Sequence, residues 1–154
     1  SRGLKIQNKS LIDGVRDATW EGRLEIVNRS PQVILDGAHN PAGIAALAKV
    51  LSHELSFKKL TVVFGALNDK DYRAMLRRLA PLADRVILTG IREERALKPE
   101  NMEGVARLYN NDVEVARDSR EAVSRALDSS AKDDLICITG SLYLIGEIKE
   151  QALF

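Results

Sequence analysis

Short, unbroken apolar runs alternate with helical stripes along most of the chain, and that alternation limits the folds open to it. The runs lie at 24–27, 33–35, 60–64, 86–88, 113–116 and 135–138 and are rich in Val, Ile and Leu. Continuous rather than alternating apolar character is what a strand covered on both faces requires. Between the runs, Ile44, Leu47, Ala48, Leu51 and Leu55 share one helical face, as do Tyr72, Met75, Leu76 and Leu79. Met102, Val105, Ala106 and Tyr109 form a third stripe, and Ala122, Val123, Ala126 and Leu127 a fourth. A last helix is expected from Ser141 onward. Strand–helix repetition with right-handed crossovers predicts a Rossmann-like, doubly wound α/β fold: a mostly parallel sheet with helices on both faces. Only "NRSP" separates the first two runs, so an antiparallel amino-terminal hairpin is expected there.

Residues 1–19 differ from the rest, being polar with one weak helical stretch at 11–15. They are expected to be a linker or the tail of a preceding domain, with the folded unit at 20–154. A chain of 154 residues suits one domain with a real core. It opens without methionine, which suggests a piece of something longer. A net charge of +1 and few aromatics give no footprint for nucleic acid. No apolar run approaches the roughly 20 residues needed to cross a bilayer, so no membrane is expected. The single cysteine, Cys137, cannot close an internal disulfide, which points to a reducing cytoplasm.

In an open parallel sheet all carboxyl ends share one edge, and ligands bind there. The residues after each strand are therefore the candidate site. Asp36, Gly37, Ala38, His39 and Asn40 follow the second run; Gly65, Ala66, Leu67, Asn68, Asp69 and Lys70 follow the third. Thr89 and Gly90, then the charged loop "IREERALKPE", follow the fourth, and Thr139, Gly140 and Ser141 follow the last. Taken singly, several have plainer explanations. Asn40 before Pro41 is a good helix start, and Ser141 and Asp71 suit the same capping role. Asp36 is harder to explain away, because a carboxylate ending a buried strand must be solvated or paired. Polar residues gathered on one edge favour a binding site over four separate caps. Being at an edge rather than in the core, Asp36 is expected to be removable without loss of the fold.

Other features carry less. His53 falls opposite Ile44 on its helix and is expected to face solvent, and no second histidine completes a zinc helix. Cys137 within "LICIT" reads as a small core residue. "REER" reads as a solvated run in which Arg92 or Arg95 can reach an anion. Neither GxxxxGK[ST] nor GxGxxG is present, so both standard phosphate cradles are missing. A polar sheet edge without a cradle suggests that a partner domain holds the phosphates.

Four segments then acquire a joint meaning: "WEGRLEIV" (20–27), "LDGAHNPAG" (35–43), "VFGALNDKDY" (63–72) and "ITGSLYLIGE" (138–147). In this order and spacing they resemble the carboxy-terminal domain of folylpolyglutamate synthase/dihydrofolate synthase, of the muramyl ligase group. The resemblance runs from about Ser10 to the end. It implies an ATP-dependent ligase that phosphorylates a pterin carboxylate and joins L-glutamate to the resulting acyl phosphate. ATP and magnesium (Mg2+) are the implied cofactors, with phosphates and metal held mainly by an amino-terminal ATPase domain of the same polypeptide. The implied substrates are L-glutamate and folate or dihydropteroate, and a monomer is expected.

Carried over by motif, Arg23 resembles the arginine that reaches the ATP phosphates, a task suited to a planar, permanently charged guanidinium. Asp36 resembles the aspartate that accepts a hydrogen bond from the nucleotide ribose, with His39 and Asn40 lining the adenosine end. Lys70 and Ser141 match positions that would fix the glutamate carboxylate, by charge and by hydroxyl plus helix-start amides. None of these residues is expected to ligate metal. Where the family usually has proline, this chain has Glu21. The resemblance implies that the chain alone is inactive as a ligase. The competing readings are a stand-alone nucleotide-binding module of the same fold and an ordinary dinucleotide-binding domain, the latter opposed by the missing glycine fingerprint.

Overall fold

A computed structural model describes residues 22–154. The expectations for residues 1–19, and for Trp20 and Glu21 of the first motif, lie outside the described residues. The elements are β1 (Glu25–Arg29), β2 (Gln32–Asp36), α1 (Pro41–His53), β3 (Leu60–Phe64), α2 (Tyr72–Leu79), β4 (Arg85–Leu88), α3 (Pro99–Arg107), β5 (Val113–Val115), α4 (Ser119–Asp128), β6 (Leu135–Thr139) and α5 (Leu142–Glu150). One six-stranded sheet runs in the order β1-β2-β6-β3-β4-β5. β1 is antiparallel to β2 and every other pairing is parallel.

The unbroken apolar runs are explained by the two packed faces. Successive side chains of a strand point to opposite sides. Ile34, Val62, Phe64, Leu135 and Cys137 meet α1, α2 and α3 on one side. Val33, Leu35, Val63, Ile136 and Ile138 meet α4 and α5 on the other. β2, β3 and β6 accordingly need apolar residues at nearly every position. Edge strand β1 does not: Ile26 is half exposed.

Three sequence expectations are corrected at their boundaries. The first strand begins at Glu25, because Leu24 adopts φ +48°, which no strand accommodates. It also extends through Arg29, which pairs with Gln32, so the hairpin turns on Ser30 and Pro31 alone. Leu55 and Tyr109 lie past the ends of α1 and α3, yet Leu55 still packs against the core.

The winding places the candidate site. From β2, β3 and β4 the chain leaves toward the α1–α3 face, whereas from β6, between β2 and β3, it leaves toward the α4–α5 face. Loops that depart in opposite directions from neighbouring strands open a crevice at the carboxyl edge above β6.

Candidate functional site at the carboxyl edge

Three strand ends are stitched together under this crevice. Asp36 pairs with Thr139, and Thr139 with Phe64. Beyond the strands, the Gly140 amide donates to the Ala38 carbonyl (3.0 Å) and the Gly65 amide to the Thr139 carbonyl (3.3 Å). Gly140 takes φ +105°, and a Cβ there would lie 2.3 Å from the Gly65 carbonyl oxygen and 2.8 Å from the Phe64 ring. Only glycine fits that backbone.

The segment carrying Arg23 is drawn onto the same corner. The Gly37 amide donates to the Gly22 carbonyl (2.6 Å), and the Leu24 amide to Asp36 Oδ2 (3.1 Å). The other oxygen, Oδ1, accepts the Ala38 amide (2.9 Å). Asp36 is 8% exposed. Burial raises its pKa above the ordinary carboxylate value, against the opposing pull of the Ala38 and Leu24 amides and the Arg23 charge. At the base, Glu25 accepts the Gly22 amide (2.9 Å) and pairs with Lys149 (2.9 Å). Arg23 itself is exposed at the tip.

The remaining predicted residues divide by the work they already do. His39 places Nδ1 2.8 Å from the Gly37 carbonyl; a carbonyl only accepts, so Nδ1 carries a proton and Nε2 is left facing outward for a ligand. Asn40 uses Oδ1 to cap α1 through the Gly43 amide (2.8 Å), leaving its exposed amide group without a hydrogen bond among the described residues. Ser141 is buried and caps α5, its Oγ accepting the Tyr143 amide (3.1 Å). Lys70 lies one loop away, after β3, paired with Asp69 (3.0 Å). Arg23, Asp36, His39, Asn40 and Ser141 therefore share one corner and Lys70 the adjoining wall. Two expectations about Asp36 need correction. It is buried although it ends a strand at the sheet edge, and both its oxygens already accept backbone amides, so its removal is predicted to weaken this corner rather than leave the fold untouched.

The side chains of "REER" are largely exposed, as expected of a solvated run, while the backbone of this loop after β4 is fastened as a wall of the crevice. Ala96 bridges Leu67, the Asn68 amide donates to the Arg95 carbonyl (2.9 Å), and the Leu97 amide to the Ala66 carbonyl (2.9 Å). Its other anchor is Glu147, a buried carboxylate overlooked in the sequence. Glu147 accepts the Arg92 amide (2.7 Å), the Ser119 hydroxyl and the Gln151 side-chain amide (3.2 Å), with the Arg92 guanidinium 3.7 Å away. The signal was available: Glu147 falls on the buried stripe of Leu144, Ile145 and Ile148. Beside it a depression of about 430 Å³ is lined by Arg92, Leu142, Tyr143, Gly146, Glu147 and Glu150. A depression of about 460 Å³ at the opposite, amino edge is lined chiefly by Leu51, Leu55, Phe57, Leu60, Pro81 and Leu82, and offers no charged group.

His53 is exposed, and Cys137 is fully buried, its thiol pKa pushed up by burial and by the nearby Asp36 charge. Among the described residues no three His, Cys, Asp or Glu side chains gather as metal ligands, and no helix is long and apolar enough to cross a membrane. What this corner offers chemically is an exposed guanidinium, a histidine ring nitrogen, an amide donor and a set of helix starts. That set suits an anionic, hydrogen-bonding ligand such as a nucleotide.

Comparison with known proteins gives this geometry a setting. Residues 22–142 match the family described as Mur ligase, glutamate ligase domain. The chain is 31% identical over 146 residues to a dihydrofolate synthase/folylpolyglutamate synthase of Bacillus subtilis, covering 95% of this chain and 34% of that protein. It is 33% identical over 145 residues to a folylpolyglutamate synthase of Lacticaseibacillus casei, covering 94% and 32%. The folylpolyglutamate synthase of Mycobacterium tuberculosis, solved with ADP and AMPPCP, superposes with a TM-score of 0.80 at 32% identity, over 97% of this chain and 36% of that one. The chain thus spans about a third of the length of these relatives.

Proposed function

The chain belongs to the Mur ligase family as its glutamate ligase domain, and on that premise we propose that it is the glutamate-binding, ATP-closing part of a folylpolyglutamate/dihydrofolate synthase. Such an enzyme joins L-glutamate to a folate or pteroate carboxylate at the expense of ATP. The observation that carries the reading is the corner itself. Arg23 is held at the tip of a segment latched to Asp36 and Gly37, beside His39, Asn40 and the start of α5.

Within this proposal Arg23 contacts the ATP phosphates. Its fixed fork of donors can neutralise charge without losing a proton. The His39 Nε2 and the Asn40 amide group serve adenosine. Lys70 supplies a point charge for the glutamate carboxylate. The Ser141 hydroxyl is committed to its cap, so its part is to hold the α5 start, whose amides face the same anion. ATP supplies the activation of the substrate carboxylate; magnesium and the main phosphate contacts belong to the rest of the polypeptide, as does the folate site. The setting is cytoplasmic.

The test is glutamate-dependent ADP release by the longer polypeptide that contains this chain, with folate or dihydropteroate as acceptor. Arg23→Ala should lower kcat/KM for ATP about 100-fold, the scale for removing one charge-stabilising donor, while the purified chain alone should turn over no ATP. Unchanged ATP kinetics in Arg23→Ala, or robust turnover by the isolated chain, would refute the proposal.

A further inference from the structure

The loop between β4 and α3 straddles the sheet edge. Ile91 and Ala96 pack into the core beneath α4 and α5, and Leu97 into the core on the opposite face. Between those points the loop grips the turn after β3: Ala96 bridges Leu67, and the Asn68 amide donates to the Arg95 carbonyl (2.9 Å). Lys70 stands on that same turn, its own amide donating to the Leu67 carbonyl (3.2 Å). Arg95 lies within electrostatic reach of Asp69, the partner of Lys70, and of Tyr143 in the first turn of α5. At its start the loop is tied to α5 by Glu147. Oε2 accepts the Arg92 amide (2.7 Å), while Oε1 accepts the Ser119 hydroxyl and the Gln151 side-chain amide (3.2 Å).

A fold that needed this loop only covered would do better with an apolar side chain at 147, because a buried carboxylate costs free energy until its donors are in place. What the carboxylate supplies instead is a fixed distance: a charge-assisted hydrogen bond is short and directional, whereas apolar contact is not. We infer that Glu147 is a positioning residue for the amino-acid substrate, which through the loop after β4 sets the gap between Lys70 and the start of α5 and so selects glutamate by its length. This rests on the reading of Lys70 as the cation for the glutamate carboxylate. Lys70 and the α5 start belong to different strand–helix units, which meet at the crevice floor where the Gly65 amide donates to the Thr139 carbonyl (3.3 Å). Above the floor, the path from α5 to the Lys70 turn runs through Glu147, the Arg92 amide and the Arg95 carbonyl. A loop released from Glu147 leaves Lys70 chemically intact on a looser mount.

The test uses the longer polypeptide and reads ADP release with L-glutamate, L-aspartate and L-2-aminoadipate, one methylene shorter and one longer than glutamate. Glu147→Gln should raise KM for L-glutamate about 10-fold, the scale for misplacing a substrate-positioning group from a distance, with KM for ATP unchanged. Its preference for L-glutamate over the two other acids should fall by about 5-fold, within the range that one methylene is worth in a fitted site. Glu147→Gln combined with Lys70→Ala should show a KM for L-glutamate no higher than Lys70→Ala alone. Glu147→Asp, which keeps the charge but draws the acceptor back from the Arg92 amide, should behave like Glu147→Gln and serves if the latter fails to fold. A KM for L-glutamate or a length preference that stays as in the unaltered enzyme would overturn the inference, as would a KM for ATP that rises in parallel. Losses that multiply in the double variant would overturn it too, with the role of Lys70 intact. Glutamate use undiminished in Lys70→Ala alone would instead remove the premise and the inference with it.

Discussion

The two edges of the sheet use similar residues for different ends. At the amino edge, polar side chains finish strand starts: Asp84 accepts the Leu60 amide (2.7 Å), Lys58 pairs with Asp133 (2.7 Å), and Asp134 turns back to the Ala131 amide (2.8 Å). The depression nearby is lined with Leu, Phe, Pro and two serines, and the bonds around it tie strand starts and turns to one another without bending the backbone. At the carboxyl edge the backbone itself is bent out of ordinary geometry. Of the four described residues with positive φ, Gly22, Leu24 and Gly140 are here. Such conformations survive where surrounding structure over-determines them, and they collect where a chain must present something. An amide–carboxylate bond is thus a strand terminus at Asp84 and a latch under an arginine at Asp36.

The sharpest way to break that contrast is Gly140→Ala. The added Cβ would meet the Gly65 carbonyl and the Phe64 ring in a backbone at φ +105°. Neither neighbour is the loose end of a flexible chain. Backbone strain and overpacking together predict a loss of about 3–5 kcal/mol in chemical denaturation. A loss under 1 kcal/mol would mean that the carboxyl edge is no more constrained than the rest of the molecule.

Next in size is Glu147→Ala. It strands the Arg92 amide, the Ser119 hydroxyl and the Gln151 amide group at a buried position, at a cost of about 2–3 kcal/mol. Hydrogen exchange at Arg92 should rise together with that of Asn68 and Leu97, because the loop is pinned from both sides. Protection unchanged at Arg92 would show that the wall of the crevice stands without its buried carboxylate.

How much of this was legible follows from where each determinant sits in the chain. Strand runs and helical stripes are local, so β2, β3 and β6 and the buried faces of α1 and α2 could be read directly from residue order. The caps of Asn40, Asp71 and Ser141 act within three residues and were equally open to reading. The latch was not. Leu24 and Asp36 are 12 residues apart, and nothing in "GRLE" announces a left-handed leucine. Glu147 gathers partners from the loop after β4 and from α4, 28 residues back in the case of Ser119. Its position on an apolar stripe was the local trace of that long-range demand.

The amino edge supplies the moderate case. Asp84→Ala removes the exposed carboxylate that accepts the amide of buried Leu60, and water can take that carboxylate's place. The expected loss is about 1 kcal/mol in denaturant titration, with no change in ATP use by the longer polypeptide. Altered ATP kinetics here would erase the functional distinction between the edges.

The smallest effect separates two carboxylates of the carboxyl edge itself. Glu121, on α4 beyond the far strand β5, has its pKa lowered from the ordinary 4.5 to about 2, first by the Arg117 amide and then by the Arg117 side chain. Its charged form is the one the fold favours, so its contribution is present above pH 4.5 and is lost as pH falls toward 2. Asp36 runs the other way: burial raises its pKa, so what it contributes is present below its ordinary value of 3.8 and is lost as pH rises through the folded value. Glu121→Gln should therefore flatten the acid limb of the stability curve between pH 4.5 and 2, a small change because Glu121 is a surface group. Asp36→Asn should remove a slope of opposite sign. Stability profiles that shift in the same direction for both variants would show that the latch beneath Arg23 is an ordinary surface pair.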